Sequence, residues 1–268
     1  MPIRYAACVE YDGSGFSGWQ TQKHDVRTVQ ETVEAALSRV ADQATPIITA
    51  GRTDTGVHAT HQIIHFESDS QRSEFSWCRG TNRFLDHDVR LTWVAPVDTE
   101  FHARFSALSR SYRFIIYNAP IQSALYRKHA THEFRALDPQ LMSEAGQSLL
   151  GEHDFSSFRA AGCQAHSPVR TLQDFSLQSN GDWVWFDVTA NAFLQHMVRN
   201  IAGCLIEIGH GKRNVDWISE LIEQKDRTKG GITAPPNGLY LTGVKYSSNY
   251  CLPSTNKAVA YWGGNDKA

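Results

Sequence analysis

Strand-like and helix-like patterns alternate along the first half of the chain, and their order limits the folds that it can adopt. Strand segments alternate polar and apolar residues, whereas helix segments carry an apolar residue every three or four positions. These patterns predict a strand at 4–11, a helix at 28–40, strands at 46–50 and 62–66, a helix at 75–85 and a strand at 89–97. Thr28 and Glu31 have the spacing of a capping box at the start of the first helix. The predicted order is therefore β-α-β-β-α-β.

The second half repeats this order of elements without clear residue-level similarity to the first. The patterns predict a strand at 111–117, a helix at 139–150, strands at 171–178 and 183–189, a helix at 193–208 and a strand at 238–246. Ser-Asn-Gly-Asp between the two middle strands is typical of a hairpin turn. We therefore expect an α+β protein with two ferredoxin-like (β-α-β-β-α-β) halves and a central, mostly antiparallel sheet. The expected domains are 1–102 and 103–268.

The composition indicates an ordinary globular protein and argues against several other classes. With 41% hydrophobic and 20% charged residues, the chain lacks the bias of a disordered or fibrous protein. It contains no apolar run of about 18 residues, so we expect no membrane span. Its five cysteines are scattered and include no Cys-x-x-Cys pair. We therefore expect neither a disulfide framework nor a zinc ribbon, and a cytoplasmic location.

The net charge of −2 argues against a protein that coats nucleic acid along its whole surface. One local segment, 102–135, differs from this average, because it has six basic residues and a single acid, with aromatic residues among them. The basic residues are Arg104, Arg110, Arg113, Arg127, Lys128 and Arg135. Basic and aromatic side chains in alternation can hold phosphates and stack on bases. A strand with a solvated, charged face would have the same composition, and this segment alone does not choose between the two.

Two glycines bracket a short polar loop between two predicted strands. Gly51 and Gly56 enclose Arg-Thr-Asp-Thr, and glycine permits both positive φ and close backbone approach. The loop can therefore present Asp54 toward a ligand, with Arg52 two residues away to hold a phosphate or to favour the charged carboxylate. An isolated aspartate in such a loop more often forms only an Asx-turn.

Three other interpretations compete for this loop. Asp54-Thr55-Gly56 has the sequence of the aspartic-protease triplet, but that chemistry needs two carboxylates and the chain has one copy. The loop of a non-catalytic RNA-binding module could also contact phosphate in this way. The third interpretation is a metal site, because Asp54 and three histidines are spaced by four, three and four residues: His58, His61 and His65. Gly56 and the β-branched pair at 63–64 argue against the helix that would place all four on one face.

Seven ordered segments of the chain resemble the TruA family of tRNA pseudouridine synthases. They are EYDGSGFSGWQ at 10–20, GRTDTGVHA at 51–59, FHARFSA and RSYRF within 101–114, GEHDFSSF at 151–158, PVRT at 168–171, NAFLQHMVRN at 191–200 and APPNGLYL at 234–241. The sequence departs from the family pattern at Thr55, where alanine is usual, at Phe114, where many members have tyrosine, and at Thr60-His61. None of these differences affects Asp54.

The resemblance implies a pseudouridine synthase fold and an isomerisation of uridine that needs no metal or cofactor. It implies that Asp54 is the catalytic nucleophile, although the sequence does not decide whether it attacks C6 of uracil or C1′ of the ribose. Tyr112 corresponds to a residue that stacks on the flipped base and is a candidate acceptor of the C5 proton. Arg199 corresponds to the basic residue that pairs with the aspartate. Leu241 is a weaker candidate for an apolar wall of the uracil pocket.

The resemblance also implies the partner and the assembly. Family members are homodimers in which one tRNA contacts both subunits, and they modify uridines 38, 39 and 40 of the anticodon stem-loop. Arg52 and the basic segment 102–135 would then bind this stem-loop by shape and phosphate contacts. The polar stretch 210–236 predicts a loop with a short helix and has no assigned role. We expect 247–268 to be a poorly ordered tail.

Overall fold

The computed structural model describes residues 2–253, which divide into two compact units. The first consists of the residues up to Leu108 together with those from Tyr240 onward, and the second is Ser109–Leu239. Both contain helices and strands, and strand pairing within each is mostly antiparallel. The α+β class expected from the sequence is therefore confirmed. No helix within 2–253 is long and apolar enough to cross a membrane.

The first unit begins with a strand, a helix, two strands, a helix and a strand. These elements are β1 (Ile3–Tyr11), α1 (Val29–Ala41), β2 (Ile48–Thr49), β3 (His58–Ser68), α2 (Glu74–Phe84) and β4 (Val89–Pro96). Antiparallel pairing of β1 with β3 and β4, and of β2 with β3, gives the sheet order β4-β1-β3-β2. Trp77 of α2 packs on the sheet, with its ring 5.4 Å from that of Tyr5 and 5.2 Å from that of Phe66.

The start of α1 has the cap that the sequence predicts. The Thr28 hydroxyl oxygen accepts a hydrogen bond from the Glu31 backbone N–H at 3.4 Å, and the same hydroxyl donates to the Glu31 carboxylate at 2.9 Å. Thr28 is completely buried, so an uncapped N–H at this position would have no access to water. The cap therefore fixes the residue at which the connection from β1 becomes a helix.

The second unit contains five strands and three helices before the chain returns to the first. They are β5 (Ser109–Asn118), β6 (Thr131–Glu133), α3 (Pro139–Gln147), β7 (Gly151–Asp154), β8 (Val169–Asn180), β9 (Trp183–Ala190), α4 (Met197–Gly209) and α5 (Trp217–Gln224). Antiparallel pairing gives the order β5-β9-β8-β7, and β6 pairs with β5 in parallel. The predicted hairpin is confirmed, because Asn180 pairs with Trp183 around a two-residue turn in which Gly181 has a φ of 56°.

The start of α4 and the pairing of the last strand are among the features that differ from the sequence-based expectation. The helix expected over 193–208 begins only at Met197, because His196 has a left-handed backbone with a φ of 62°. The compact units also differ from domains 1–102 and 103–268. The last strand, β10 (Leu239–Lys245), pairs in parallel with β3 at His58 and Ala59, and this pairing groups the chain from Tyr240 with the first unit.

The first residues of the expected tail are packed. The ring of Tyr250 lies 5.0 Å from that of Phe101 in an edge-on arrangement, and its hydroxyl donates to Ser106 at 3.4 Å. The expectation of a poorly ordered tail is therefore wrong for 247–253. Residues 254–268 lie outside the described part of the chain.

Gly146 of α3 provides a test of the packing between this helix and β8. A Cβ atom at this position would lie 2.0 Å from the ring of Phe175, which itself stacks on Phe186. We expect Gly146→Ala to lower the free energy of unfolding by about 1–2 kcal/mol, because overpacking outweighs the helix propensity of alanine. Urea denaturation measures this change. Gly162→Ala is the control, since its nearest neighbour lies 4.0 Å away. A Gly146→Ala protein as stable as the unaltered chain would contradict the packing.

Candidate active site

Asp54 lies in the loop between β2 and β3, at the point where the chain turns. It is half-buried, between the buried Thr53 and the exposed Thr55. The Val57 N–H donates to the Asp54 carbonyl at 3.1 Å and closes a turn in which Gly56 has a φ of 78°. Residues that carry a side chain rarely adopt this backbone conformation, which accounts for the glycine after Thr55. The turn therefore fixes the backbone on the carboxyl side of Asp54.

A second loop, 12–19, packs its backbone directly against the Asp54 loop. The Trp19 N–H donates to the Thr53 carbonyl at 3.0 Å, and the Gly13 N–H donates to Nδ1 of His58 at 3.0 Å. Gly18 has a φ of 90°, and a Cβ atom there would lie 3.0 Å from the Thr53 carbonyl oxygen. These contacts hold the backbone on both sides of Asp54.

Buried polar side chains of β1 and β3 anchor the same loop. The Tyr11 hydroxyl and Thr53 Oγ1 share a hydrogen bond of 2.7 Å, and the Gln62 side-chain amide donates to the Gly51 carbonyl at 2.6 Å. Burial raises the pKa of Tyr11, and its hydrogen bonds to Thr53 and Gln62 offset only part of this rise. Its phenol is therefore neutral at physiological pH.

Arg27 holds the outer end of loop 12–19. Its guanidinium donates two hydrogen bonds to Asp88, at 2.6 and 2.8 Å, and one to Asp86 at 2.8 Å. The same group lies 4.0 Å from the centre of the Phe16 ring, and the Arg27 carbonyl accepts from the Ser17 N–H at 2.9 Å. Hydrogen bonding to Arg27 lowers the pKa of Asp88, with burial acting in the opposite direction. This ion pair therefore supports the loop that packs on Asp54.

The three histidines in the proposed metal spacing contact different protein atoms. His58 accepts the Gly13 N–H, His65 accepts the Ala103 N–H at 3.1 Å through Nδ1, and Nδ1 of His61 lies 3.4 Å from Cys8 Sγ. Burial lowers the pKa of His65 to about 4, assisted by the charges of His102 and Arg4, so its ring is neutral near pH 7. Within residues 2–253, His58, His61 and His65 therefore have separate partners and do not bring their ring nitrogens together around one ion.

The other candidate residues fall in both units. Arg52 is exposed beside Asp54, and Leu241 is completely buried in β10, opposite Ala59. Tyr112 lies in β5 of the second unit, with its ring edge-on to Phe193 at 5.0 Å. Arg199 lies in the first turn of α4, where Nε donates to the Ala234 carbonyl at 2.8 Å.

Two members of the basic segment 102–135 are paired with acids. Arg113 forms two hydrogen bonds of 2.8 Å to Asp187 on β9, and Arg135 contacts Glu133 at 3.1 Å. Both charges are therefore partly neutralised within the second unit. Arg104, Arg127 and Lys128 are exposed.

Sequence reasoning did not identify the supporting residues of the Asp54 loop. The glycines of loop 12–19 lie within the EYDGSGFSGWQ segment at 10–20. They were the signal in the sequence that could have identified this loop as a support for Asp54. Arg27 and its partner Asp88 are separated by 61 positions and lie in no pattern that links them. Their pairing becomes visible only when β4 is placed beside β1.

The chain matches known proteins over nearly its whole length. A family model described as tRNA pseudouridine synthase matches residues 7–106 and 145–247. The tRNA pseudouridine synthase A of Pseudoalteromonas atlantica is 51% identical over 251 residues, which cover 94% of this chain and 95% of that protein. The protein of the same name from Nitrosococcus oceani is 49% identical over 260 residues, covering 97% and 100%. That of Legionella pneumophila is 48% identical over 254 residues, covering 95% and 97%.

The chain therefore belongs to the tRNA pseudouridine synthase family, and the TruA resemblance of its motifs is confirmed. It is an isomerase that converts uridine to pseudouridine in tRNA.

The Arg27–Asp88 pair leads to a pH-dependent stability. The folded pKa of Asp88 is below its ordinary value of 3.8, so its contribution is present above about pH 4 and is lost as the pH falls through the folded pKa. We expect Asp88→Asn to lower the free energy of unfolding by about 1 kcal/mol at pH 7 and by less at pH 3. Urea denaturation at both pH values measures this difference. Asp86→Asn is the matched control, because the Asp86 side chain is 74% exposed and its loss should have a smaller effect.

Proposed function

We propose that this protein isomerises uridines 38, 39 and 40 in the anticodon stem-loop of tRNA, with Asp54 as the nucleophile. The observation that carries the proposal is the set of contacts around the Asp54 loop, whose backbone is hydrogen-bonded at Thr53, turns at Gly56 and packs against loop 12–19. A nucleophile is effective when the protein fixes its position before the substrate arrives. The anticodon positions come from the family resemblance.

The chemistry needs few groups from the protein. The N1–C1′ bond breaks, the uracil rotates, and a C5–C1′ bond forms; the C5 proton leaves and N1 gains a proton, so the composition is unchanged. An ionised Asp54 supplies the nucleophile, either at C6 or at C1′. A second group must accept the C5 proton. No step in this balance requires an oxidant or a reductant.

We assign the remaining roles by the family resemblance. Flipping the uridine out of its stack costs a few kcal/mol. Stacking on Tyr112 would offset about 1–3 kcal/mol of this cost, and its phenol is a candidate acceptor of the C5 proton. Arg199 would pair with Asp54 and keep it charged. Leu241 is the weakest assignment, because its complete burial suits a core strand residue equally well.

We further propose that the protein acts as a cytoplasmic homodimer in which one tRNA contacts both subunits. Arg52 and the exposed Arg104, Arg127 and Lys128 are the side chains that we expect to meet phosphates. A few such groups can concentrate positive potential locally in a protein whose net charge is −2. Recognition would then depend on the shape of the stem-loop more than on its base sequence.

We also propose that both halves are ferredoxin-like. In the first unit, the order β4-β1-β3-β2 with helices after β1 and β3 supports this interpretation. In the second unit, β5, β9 and β8 are neighbours in the same antiparallel relation as β1, β3 and β2. Helices α3 and α4 follow β5 and β9 along the chain.

The nucleophile assignment is tested by Asp54→Asn, which keeps the shape of the side chain and removes its charge. We expect this variant to bind tRNA normally and to form pseudouridine at least about 10³-fold more slowly. Release of tritium from [5-³H]uridine-labelled tRNA measures the rate. Thr55→Ala is the control: Thr55 is exposed, and this variant should retain activity. Full activity in Asp54→Asn would exclude Asp54 as the nucleophile.

The substrate assignment is tested separately by incubating the protein with unmodified tRNA and mapping pseudouridine. We expect pseudouridine at positions 38, 39 and 40. Its appearance only outside the anticodon arm would refute the proposed positions and leave the proposed chemistry intact. Activity that persists after dialysis against a chelator would agree with a reaction that needs no metal.

A further inference from the structure

The segment 226–234 lies in close contact with the first half of α4. A Cβ atom at Gly203 of this helix would lie 1.8 Å from the carbonyl oxygen of Ile232. A Cβ atom at Gly231 would lie 3.2 Å from the backbone nitrogen of Cys204, and the Gly231 N–H donates to Cys204 Sγ at 3.3 Å. Glycines on both sides of the contact therefore allow the two backbones to approach closely. We call residues 226–234 the strap.

The end of the strap holds Arg199 by two reciprocal hydrogen bonds. The Ala234 N–H donates to the Arg199 carbonyl at 3.1 Å, and Arg199 Nε donates to the Ala234 carbonyl at 2.8 Å. Ala234 is buried, at 4% exposure, so these bonds are shielded from competing water. An arginine side chain has several rotatable bonds, and the bond at Nε restricts the direction of the guanidinium.

A buried asparagine connects the strap to the same turn of α4. Asn200 is 1% exposed, and its amide donates to the Phe158 carbonyl at 2.7 Å, which fixes the orientation of the side chain. Its carbonyl oxygen accepts from the Thr233 hydroxyl at 2.6 Å and from Arg227 Nη2 at 3.0 Å. Arg227 Nη2 also lies 3.1 Å from Thr233 Oγ1. The network ties both ends of the strap to the residue beside Arg199.

We propose that the strap is a positioning element for the reaction, in which Arg227 and Thr233 act through Asn200 and Ala234 to fix the direction of Arg199. The inference rests on the proposed role of Arg199, and it assigns a role to part of the polar stretch 210–236. Thr233 precedes Ala234, so we expect loss of its hydrogen bond to Asn200 to displace the carbonyl that accepts from Arg199. Small displacements of a catalytic group can reduce the rate by about 10²-fold.

The test removes one hydroxyl without changing the shape of the side chain. We expect Thr233→Val to reduce kcat for pseudouridine formation about tenfold, with KM for tRNA changed less than twofold. Thr233→Ser keeps the hydroxyl and should restore at least half of the original kcat. The matched control is Thr32→Val, because Thr32 is half-buried like Thr233 but lies outside the strap and donates its hydroxyl to the Thr28 carbonyl; this variant should keep the original kcat. A Thr233→Val enzyme with unchanged kcat would overturn the proposal.

A double-mutant cycle separates positioning from general stability. If Thr233 acts through Arg199, Thr233→Val should cause no further loss of kcat in an Arg199→Ala background. If the double variant loses kcat by the product of the two single losses, the strap does not act through Arg199. If Arg199→Ala alone leaves kcat unchanged, the proposed role of Arg199 is wrong, and the inference fails with it. A loss with Arg199→Ala but none with Thr233→Val refutes the strap alone.

Arg227→Gln provides a second variant should Thr233→Val fail to fold. Glutamine is shorter than arginine, so Arg227→Gln removes the hydrogen bonds from residue 227 to Asn200 and Thr233. The hydrogen bond between Thr233 and Asn200 remains. We expect a loss of kcat of about threefold to tenfold, again absent in the Arg199→Ala background. Thermal unfolding and circular dichroism verify that the variant is folded. A folded Arg227→Gln enzyme with unchanged kcat, or with a loss that persists without Arg199, would overturn the role of Arg227.

Discussion

The shape of the Asp54 loop depends on the close approach of two backbones, and the strands of the first unit hold that approach in place. A Cβ atom at Gly13 would lie 1.9 Å from the Val57 carbonyl oxygen, so only glycine fits there. The register of β1 and β3 fixes this meeting point, because Tyr11 pairs with Ala59. The register shifts between Val9 and Tyr11, so that β3 carries one residue more than β1. Such bulges redirect a strand next to a functional loop.

Features that depend on neighbours in the sequence were predictable. The cap formed by Thr28 and Glu31 needs only a three-residue spacing, and the β8–β9 hairpin needs only its turn residues. The loop around Asp54 was also identified correctly as a connection between strands, because its glycines interrupt two β-branched segments. In each case the interaction is completed within a few residues, so the pattern contains the information that the structure uses.

Features that depend on distant partners were not predictable. The segment from Tyr240 continues the second half in sequence, yet it pairs with β3. Arg113 lies in the basic segment 102–135, whose composition suits RNA binding, but its partner Asp187 lies 74 positions away. None of these partners can be inferred from spacing, because the sheet brings them together.

Thr55, where the family resemblance leads us to expect alanine, lies beside the proposed nucleophile at an exposed position. Thr55 is exposed at the tip of the turn, whereas the buried Thr53 on the other side of Asp54 bonds to Tyr11 through its hydroxyl and to Trp19 through its carbonyl. An exposed side chain can be exchanged at little cost, whereas loss of the buried Thr53 hydroxyl would remove one of the hydrogen-bond partners of the Tyr11 phenol. The Asp-Thr-Gly triplet therefore arises at an exposed position that tolerates substitution. The geometry of the loop depends on the buried Thr53.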